Sequence, residues 1–149
     1  MLGELNEMQV NNLLMSQAIG RIGCVNGKHP YIIPVTYVFD GKDIFGQTHE
    51  GTKLNILRKN PNVCFQIDSI LNMANWQSVL VFGTFHELKG KAALKAKTYL
   101  HDRVLPLMTS STIHAHEHQV IGKVDDSSRF KPIMYRILIK EKTGRFEKQ

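Results

Sequence analysis

Residues 20–68 read GRIGCVNGKHPYIIPVTYVFDGKDIFGQTHEGTKLNILRKNPNVCFQID, and this stretch decides the fold. Asn26-Gly27 and Asp40-Gly41 punctuate it, and both are dipeptides that favour tight reversals between strands. The residues on either side are β-branched and aromatic, which predicts strands over 18–25, 31–39 and 43–48 joined as a meander. The period then changes. Leu54 and Leu57 are three apart and Asn60-Pro61 follows, so a short helix is expected over 51–59. A further strand is read over 63–68.

Working outward toward the N-terminus, Asn6 and Gln9 stand at capping-box spacing and Leu5 and Val10 at staple spacing. Val10, Leu13 and Leu14 then form an apolar stripe at helical spacing. On the C-terminal side, 69–75 reads as a loop and 78–88 as a long strand. A helix is read from 90 to about 105, ended by Pro106. Residues 109–129 are polar and His-rich and receive no assignment, and 133–140 is the last strand. Six strands in mostly hairpin order with three helices predict a mainly β (α+β) fold, an antiparallel barrel with helices packed outside. The 149 residues fit one domain, 1–149.

Composition narrows the function classes. The net charge of +6 favours anionic partners, but the charge is spread along the chain, without the basic stripe and exposed aromatics that nucleic acid calls for. No apolar run approaches the ~20 residues of a membrane span. The opening MLGELNEMQV is too polar for a secretory leader. A cytoplasmic protein with neither a nucleic-acid nor a membrane partner is therefore expected. Cys24 and Cys64 sit in apolar runs with no Cys-x-x-Cys pair and read as reduced, buried thiols.

Residues 44–53, IFGQTHEGTK, carry the chemistry. A strand ends near Thr48, Gly51 turns the chain, and a helix starts at about Thr52. Backbone N–H groups at a helix start form an anion site, and Thr48 and Thr52 add hydroxyls. Lys53 in the first turn opposes the helix dipole, a cost that an anion held between the two would reverse. A solvated Lys that tolerates the cost is the competing reading. Pro34-Val35-Thr36 interrupts a strand, and a proline there leaves backbone groups free for a heterocycle's polar edge or simply marks a sheet edge. Trp76, Gln77 and Ser78 enter the long strand, with the tryptophan positioned for a ligand or for covering a barrel end. Arg21 shares a strand face with Gly23 and Val25, open to a ligand phosphate or to solvent. His114, His116 and His118 read HAHEH, but neither HExxH nor a supporting carboxylate or thiol motif accompanies them, so no metal site is expected. No Ser-His-Asp or paired-carboxylate arrangement is evident, leaving the catalytic residues unknown and a cofactor to supply any chemistry.

Taken in order, these pieces resemble the pyridoxamine 5′-phosphate oxidase-like superfamily, and within it the small flavin-binding proteins related to nitroimidazole-resistance reductases. The likeness lies in Gly20-Arg21-Ile22, Pro30-Tyr31, Pro34 through Asp40, Gly51-Thr52-Lys53, Leu57, Asn60-Pro61, Val63, Phe65 and the strand from Trp76 to Gly83. It covers roughly half the chain. It implies a six-stranded split β-barrel that forms a homodimer with flavin mononucleotide (FMN) between subunits. Val35 and Thr36 would then flank the flavin ring, Gln47, Thr48, Thr52 and Lys53 would hold the phosphate end, and Trp76, Gln77 and Ser78 would approach from the long strand. Many relatives carry His directly after the strand aromatic, where this chain has Phe45-Gly46. The C-terminal basic motif of true pyridoxamine-phosphate oxidases is absent, so vitamin B6 oxidation is not expected.

The resulting expectation is an FMN-dependent oxidoreductase that passes electrons from a reduced nicotinamide or another donor to a small acceptor. A non-catalytic flavin store or sensor, a split barrel holding haem or a deazaflavin, and a basic nucleic-acid-binding domain stand as alternatives.

Overall fold

The computed structural model describes residues 1–108 and 131–149. The elements run β1 (Leu2–Glu4), α1 (Glu7–Ser16), β2 (Ile19–Asn26), β3 (His29–Phe39), β4 (Ile44–Thr48), α2 (Thr52–Lys59), β5 (Asn62–Asn72), β6 (Asn75–Glu87), α3 (Gly90–Met108) and β7 (Ile133–Glu147). All pairings are antiparallel, in the order β1-β7-β4-β3-β2-β5-β6, and β6 pairs with β7 to close the sheet on itself. Six strands thus close the barrel. A seventh, β1, adds three residues to the far half of β7, pairing Leu2 with Glu147 and Glu4 with Arg145. The expected count of six omitted this strand, which is too short to show alternation.

Local chemistry explains most of the elements. The Asn6 side chain accepts from the Gln9 N–H at 2.9 Å and the Gln9 side chain accepts from the Asn6 N–H at 2.9 Å, a complete capping box at the start of α1. Val10, Leu13 and Leu14 are buried, and the buried Tyr37 hydroxyl donates to the Leu14 carbonyl at 2.6 Å, tying α1 to β3. The β2–β3 hairpin pairs Asn26 with His29, so the turn centres on Gly27-Lys28, one residue beyond the Asn-Gly signal. Gly27 has φ 62 and Lys28 does not have positive φ, the pattern of a turn with glycine at the first central position. The next reversal is fixed by Asp40, whose side chain accepts from the N–H groups of Lys42 and Asp43 at 2.8 and 2.7 Å.

Three boundaries differ from the sequence expectation. The 69–75 loop is mostly strand: β5 runs to Asn72, β6 begins at Asn75, and Asn72 caps the turn by accepting from the Ala74 N–H at 2.9 Å. Here the pair projects beyond the core, so Leu71 and Met73 are exposed and no inward alternation marks the strands. β7 continues to Glu147, well past the expected 140, because its charged second half pairs with β6 on one side and β1 on the other. α3 runs through Pro106 to Met108.

The core fills the barrel, with Tyr37, Phe65, Ile22, Ile44, Val79, Val81, Tyr135 and Ile137 fully buried. Leu54, Ile56 and Leu57 of α2 belong to the same cluster, so α2 plugs one barrel end. α3 lies outside, packing Ala96 and Leu100 on Val38 and Met134. No described helix is long and apolar enough to cross a membrane.

Candidate functional site

The turn between β4 and α2 has the features of an anion cradle. Gly51 stands at the N-cap position in extended conformation, and no side chain caps the helix. The first turn contains no acid, and Lys53 is half-buried within it. A Cβ built on Gly51 would meet nothing within 4 Å, so the space over the helix end is open. Thr48 is 3% exposed at the end of β4 and its Oγ1 has no hydrogen-bond partner. A buried hydroxyl without a partner calls for an explanation, and this one stands three residues before the uncapped N-cap position Gly51. Lys53 also lies near enough to the buried Cys24 to act against the rise that burial and Cys64 impose on its thiol.

The structure brings some of the expected residues together and separates others. Thr36 and Pro34 point outward from β3, and Val35 points inward at 8% exposure, packed in the core. Gln47 pairs with Met134 on the side facing α3, and its Oε1 is buried without a partner. Thr52 is exposed at the start of α2. Trp76 and Gln77 line a pocket of about 440 Å³ with Ser16, Gln17 and Phe146. That pocket lies far from the α2 end along β7: Thr48 stands opposite Ile133, and Trp76 opposite Glu147. At ~3.3 Å per residue, that separation is about 45 Å along the strand.

Across the outer face of the barrel the groups lie closer. Arg21 is paired with Pro34 on one side and with Gln66 on the other. Its Nη1 donates to Asp68 at 3.1 Å and to Gln66 at 3.4 Å, and Gln66 Nε2 donates to Asp68 at 3.0 Å and to Ser78 Oγ at 3.1 Å. A polar row therefore runs from Pro34 and Thr36 through Arg21 and Gln66 to Ser78. It crosses four adjacent strands, about 14 Å at ~4.8 Å per strand step. Sequence reasoning named Arg21 and Ser78 but missed Gln66 and Asp68. Strand alternation was the available signal, since both lie on the half-buried outward positions of β5 that alternate with the buried Val63, Phe65 and Ile67.

The departure at Gly46 has a steric cause. A Cβ there would overlap the Tyr135 hydroxyl and Cζ, and would lie 3.0 Å from Cε1. Tyr135 is fully buried and its ring lies 5.1 Å from that of Phe85 at a 34° tilt, so it occupies the volume that a histidine side chain would need. Burial holds both Tyr135 and Tyr37 above the usual tyrosine range.

A second cluster, which sequence reasoning missed, fastens the cradle. Arg58, in the last turn of α2, donates to both oxygens of Glu50 and to both oxygens of Glu87 at 2.9–3.0 Å. The three residues are spread over 38 positions, and no local pattern announces them. Arg58 is held fully protonated by the two carboxylates, and its hydrogen bonds draw Glu87 below the ordinary glutamate range. His114, His116 and His118 lie outside the described residues. Among the described residues, no group of three or more His, Cys, Asp or Glu side chains is placed to hold a metal.

A closed six-stranded antiparallel barrel, plugged by α2 and flanked by α3, defines the class of fold. Residues 6–145 match the family described as pyridoxamine 5′-phosphate oxidase, and the chain belongs to that family. Among solved structures, it is similar over 98% of both chains to an FAD-binding protein from Mesorhizobium loti (22% identity, TM-score 0.74). An FAD-binding protein from Mycobacterium smegmatis is similar over 97% of this chain and 98% of its own (25%, 0.64). A candidate 5-nitroimidazole antibiotic resistance protein from Bacteroides thetaiotaomicron shares the fold over 98% of this chain and 87% of its own (13%, 0.68). An uncharacterized protein of Rhizobium meliloti (strain 1021) is 34% identical over 70 residues, so the match spans 47% of this chain and about half of that relative, 46%.

Proposed function

We propose that the chain is a flavin-binding protein that holds FMN with its phosphate at the start of α2. The observation that carries this reading is the uncapped α2 N-terminus with Lys53 in its first turn, in the connection that begins at the buried, partnerless Thr48 hydroxyl. Unsatisfied N–H groups, a cation and a buried hydroxyl suit a phosphate dianion. Family membership and relatives described as FAD-binding support a flavin. A cradle for one anionic group favours the mononucleotide. Thr36, Gln47, Thr52 and the backbone about Val35 would complete one side of the site.

The same reading assigns a homodimer. Ile19, Ile32, Ile70 and Phe82 expose large apolar side chains on β2, β3, β5 and β6, with Ile32 78% exposed. Such a face is suited to burial against a second copy. Trp76, Gln77 and Ser78 would then be contributed across the interface to the ring end of the site.

When bound, the flavin would supply electron transfer from a reduced nicotinamide or another donor to a small acceptor. This chain's residues would anchor the phosphate, place the ring and exclude water. The test is an absorption spectrum of the purified protein, with the mass of whatever denaturation releases. Flavin bands and an FMN mass are expected, and reduced nicotinamide should bleach them with turnover. Bleaching without turnover would indicate a store or sensor. A colourless protein that takes up no added FMN would overturn the proposal.

A further inference from the structure

Arg58 holds Glu50 away from the helix end that Glu50 adjoins. Carboxylates are stabilised at helix N-termini, and an uncapped helix with no acid in its first turn attracts the nearest one. Glu50 immediately precedes Gly51 at the N-cap and is the nearest acid in sequence. Instead of turning over the helix start, its two oxygens accept from Arg58 Nη1 and Nη2 at 3.0 and 2.9 Å. Arg58 reaches back from the last turn, the direction in which helical side chains lean. Its Nε and Nη2 are anchored in turn by Glu87 at the end of β6, at 3.0 and 2.9 Å.

Stability alone does not account for this arrangement. The side chains of Arg58 and Glu50 are 37% and 53% exposed, and pairs so open to water contribute little to folding. What the double fork does fix is direction, because two bidentate contacts leave the Glu50 carboxylate one orientation.

Resting on the reading that α2 holds a flavin phosphate, we propose that Arg58 is a positioning residue for that site. It sequesters the Glu50 carboxylate against Glu87 and leaves the α2 N-terminus to the cofactor's phosphate. Without Arg58, Glu50 becomes a competing anion for the same N–H groups.

The test compares FMN with riboflavin, which lacks the phosphate, by fluorescence titration of the full chain. The variants are Arg58→Ala, Arg58→Gln, Glu50→Gln and the double variant Arg58→Ala/Glu50→Gln. Arg58→Ala should weaken FMN binding about two- to fivefold, the scale of an exposed helix-terminus charge contact, and leave riboflavin unchanged. Glu50→Gln should bind FMN at least as tightly as the parent, and the double variant should recover most of the loss. If Arg58→Ala fails to fold, Arg58→Gln carries the same comparison. Equal losses for FMN and riboflavin, or a double variant as weak as the single, would overturn the assignment. Unchanged FMN binding in Arg58→Ala, with the parent binding normally, would overturn it alone. A parent that binds no FMN would overturn the phosphate reading and this assignment with it.

Discussion

Replacing Lys53 with methionine should shift folding and cofactor binding in opposite directions. Methionine keeps the length and helix propensity of the side chain, so the half-buried stem retains its packing. Without cofactor, the substitution removes a cation from the positive end of α2, where no acid offsets it. Relief of that repulsion is worth about 0.3–1 kcal/mol. In a chain of this size, that should raise the apoprotein melting temperature by about 1–4 °C. With FMN, the same change removes a charged contact to phosphate worth about 1.5–3 kcal/mol. Partial exposure favours the lower end, so the dissociation constant should rise about tenfold. Thermal scans of apoprotein with and without FMN measure both effects on one sample. A lower apoprotein melting temperature with unchanged FMN affinity would refute the reasoning, since Lys53 would then be a packing residue with no role at an anion site.

Three further outcomes follow from the packing. Gly46→Ala should destabilise the fold by about 3 kcal/mol or more, because the Tyr135 ring cannot leave its buried position; chemical denaturation measures this, and a loss under about 1 kcal/mol would contradict it. Tyr135→Phe removes a buried hydroxyl with no partner and should be neutral or stabilising by about 1 kcal/mol, read from the same denaturation curves. Burial raises Tyr37 and Tyr135 in the folded state, so the stability they contribute is whole below the unfolded value near pH 10 and is lost as pH rises beyond it; denaturation midpoints from pH 8 to 11 should fall at the alkaline end, and less steeply in Tyr135→Phe.

The legible parts of this molecule were those written in short-range chemistry. Asn6 and Gln9 announced α1, Asp40 announced its reversal, and Leu54 with Leu57 announced the buried face of α2. The uncapped start of α2 that forms the candidate cradle was legible for the same reason: Thr48, Gly51, Thr52 and Lys53 lie within six positions. What escaped depends on partners distant in sequence. The second half of β7 looks like a charged tail until β6 and β1 are set beside it. Arg58 and Glu87 are 29 positions apart, and only the barrel end brings them together. The inward direction of Thr48 and Val35 follows from register, which no dipeptide specifies.

β7 is the seam of the barrel, and its pairing carries a hazard. It joins β4 across a gap of more than ninety residues, with Ile44 opposite Ile137, and meets β6 along nearly its whole length. Contacts of such long range form late in folding. Until they form, β4 and β6 each present an open edge, and an open edge pairs with whatever strand arrives first. At high concentration that strand can be the β7 of a neighbouring molecule, which offers the same register and the same side chains. Exchange of β7 between copies is therefore the misassembly to which this topology is open, and dilution during refolding is the remedy it prescribes.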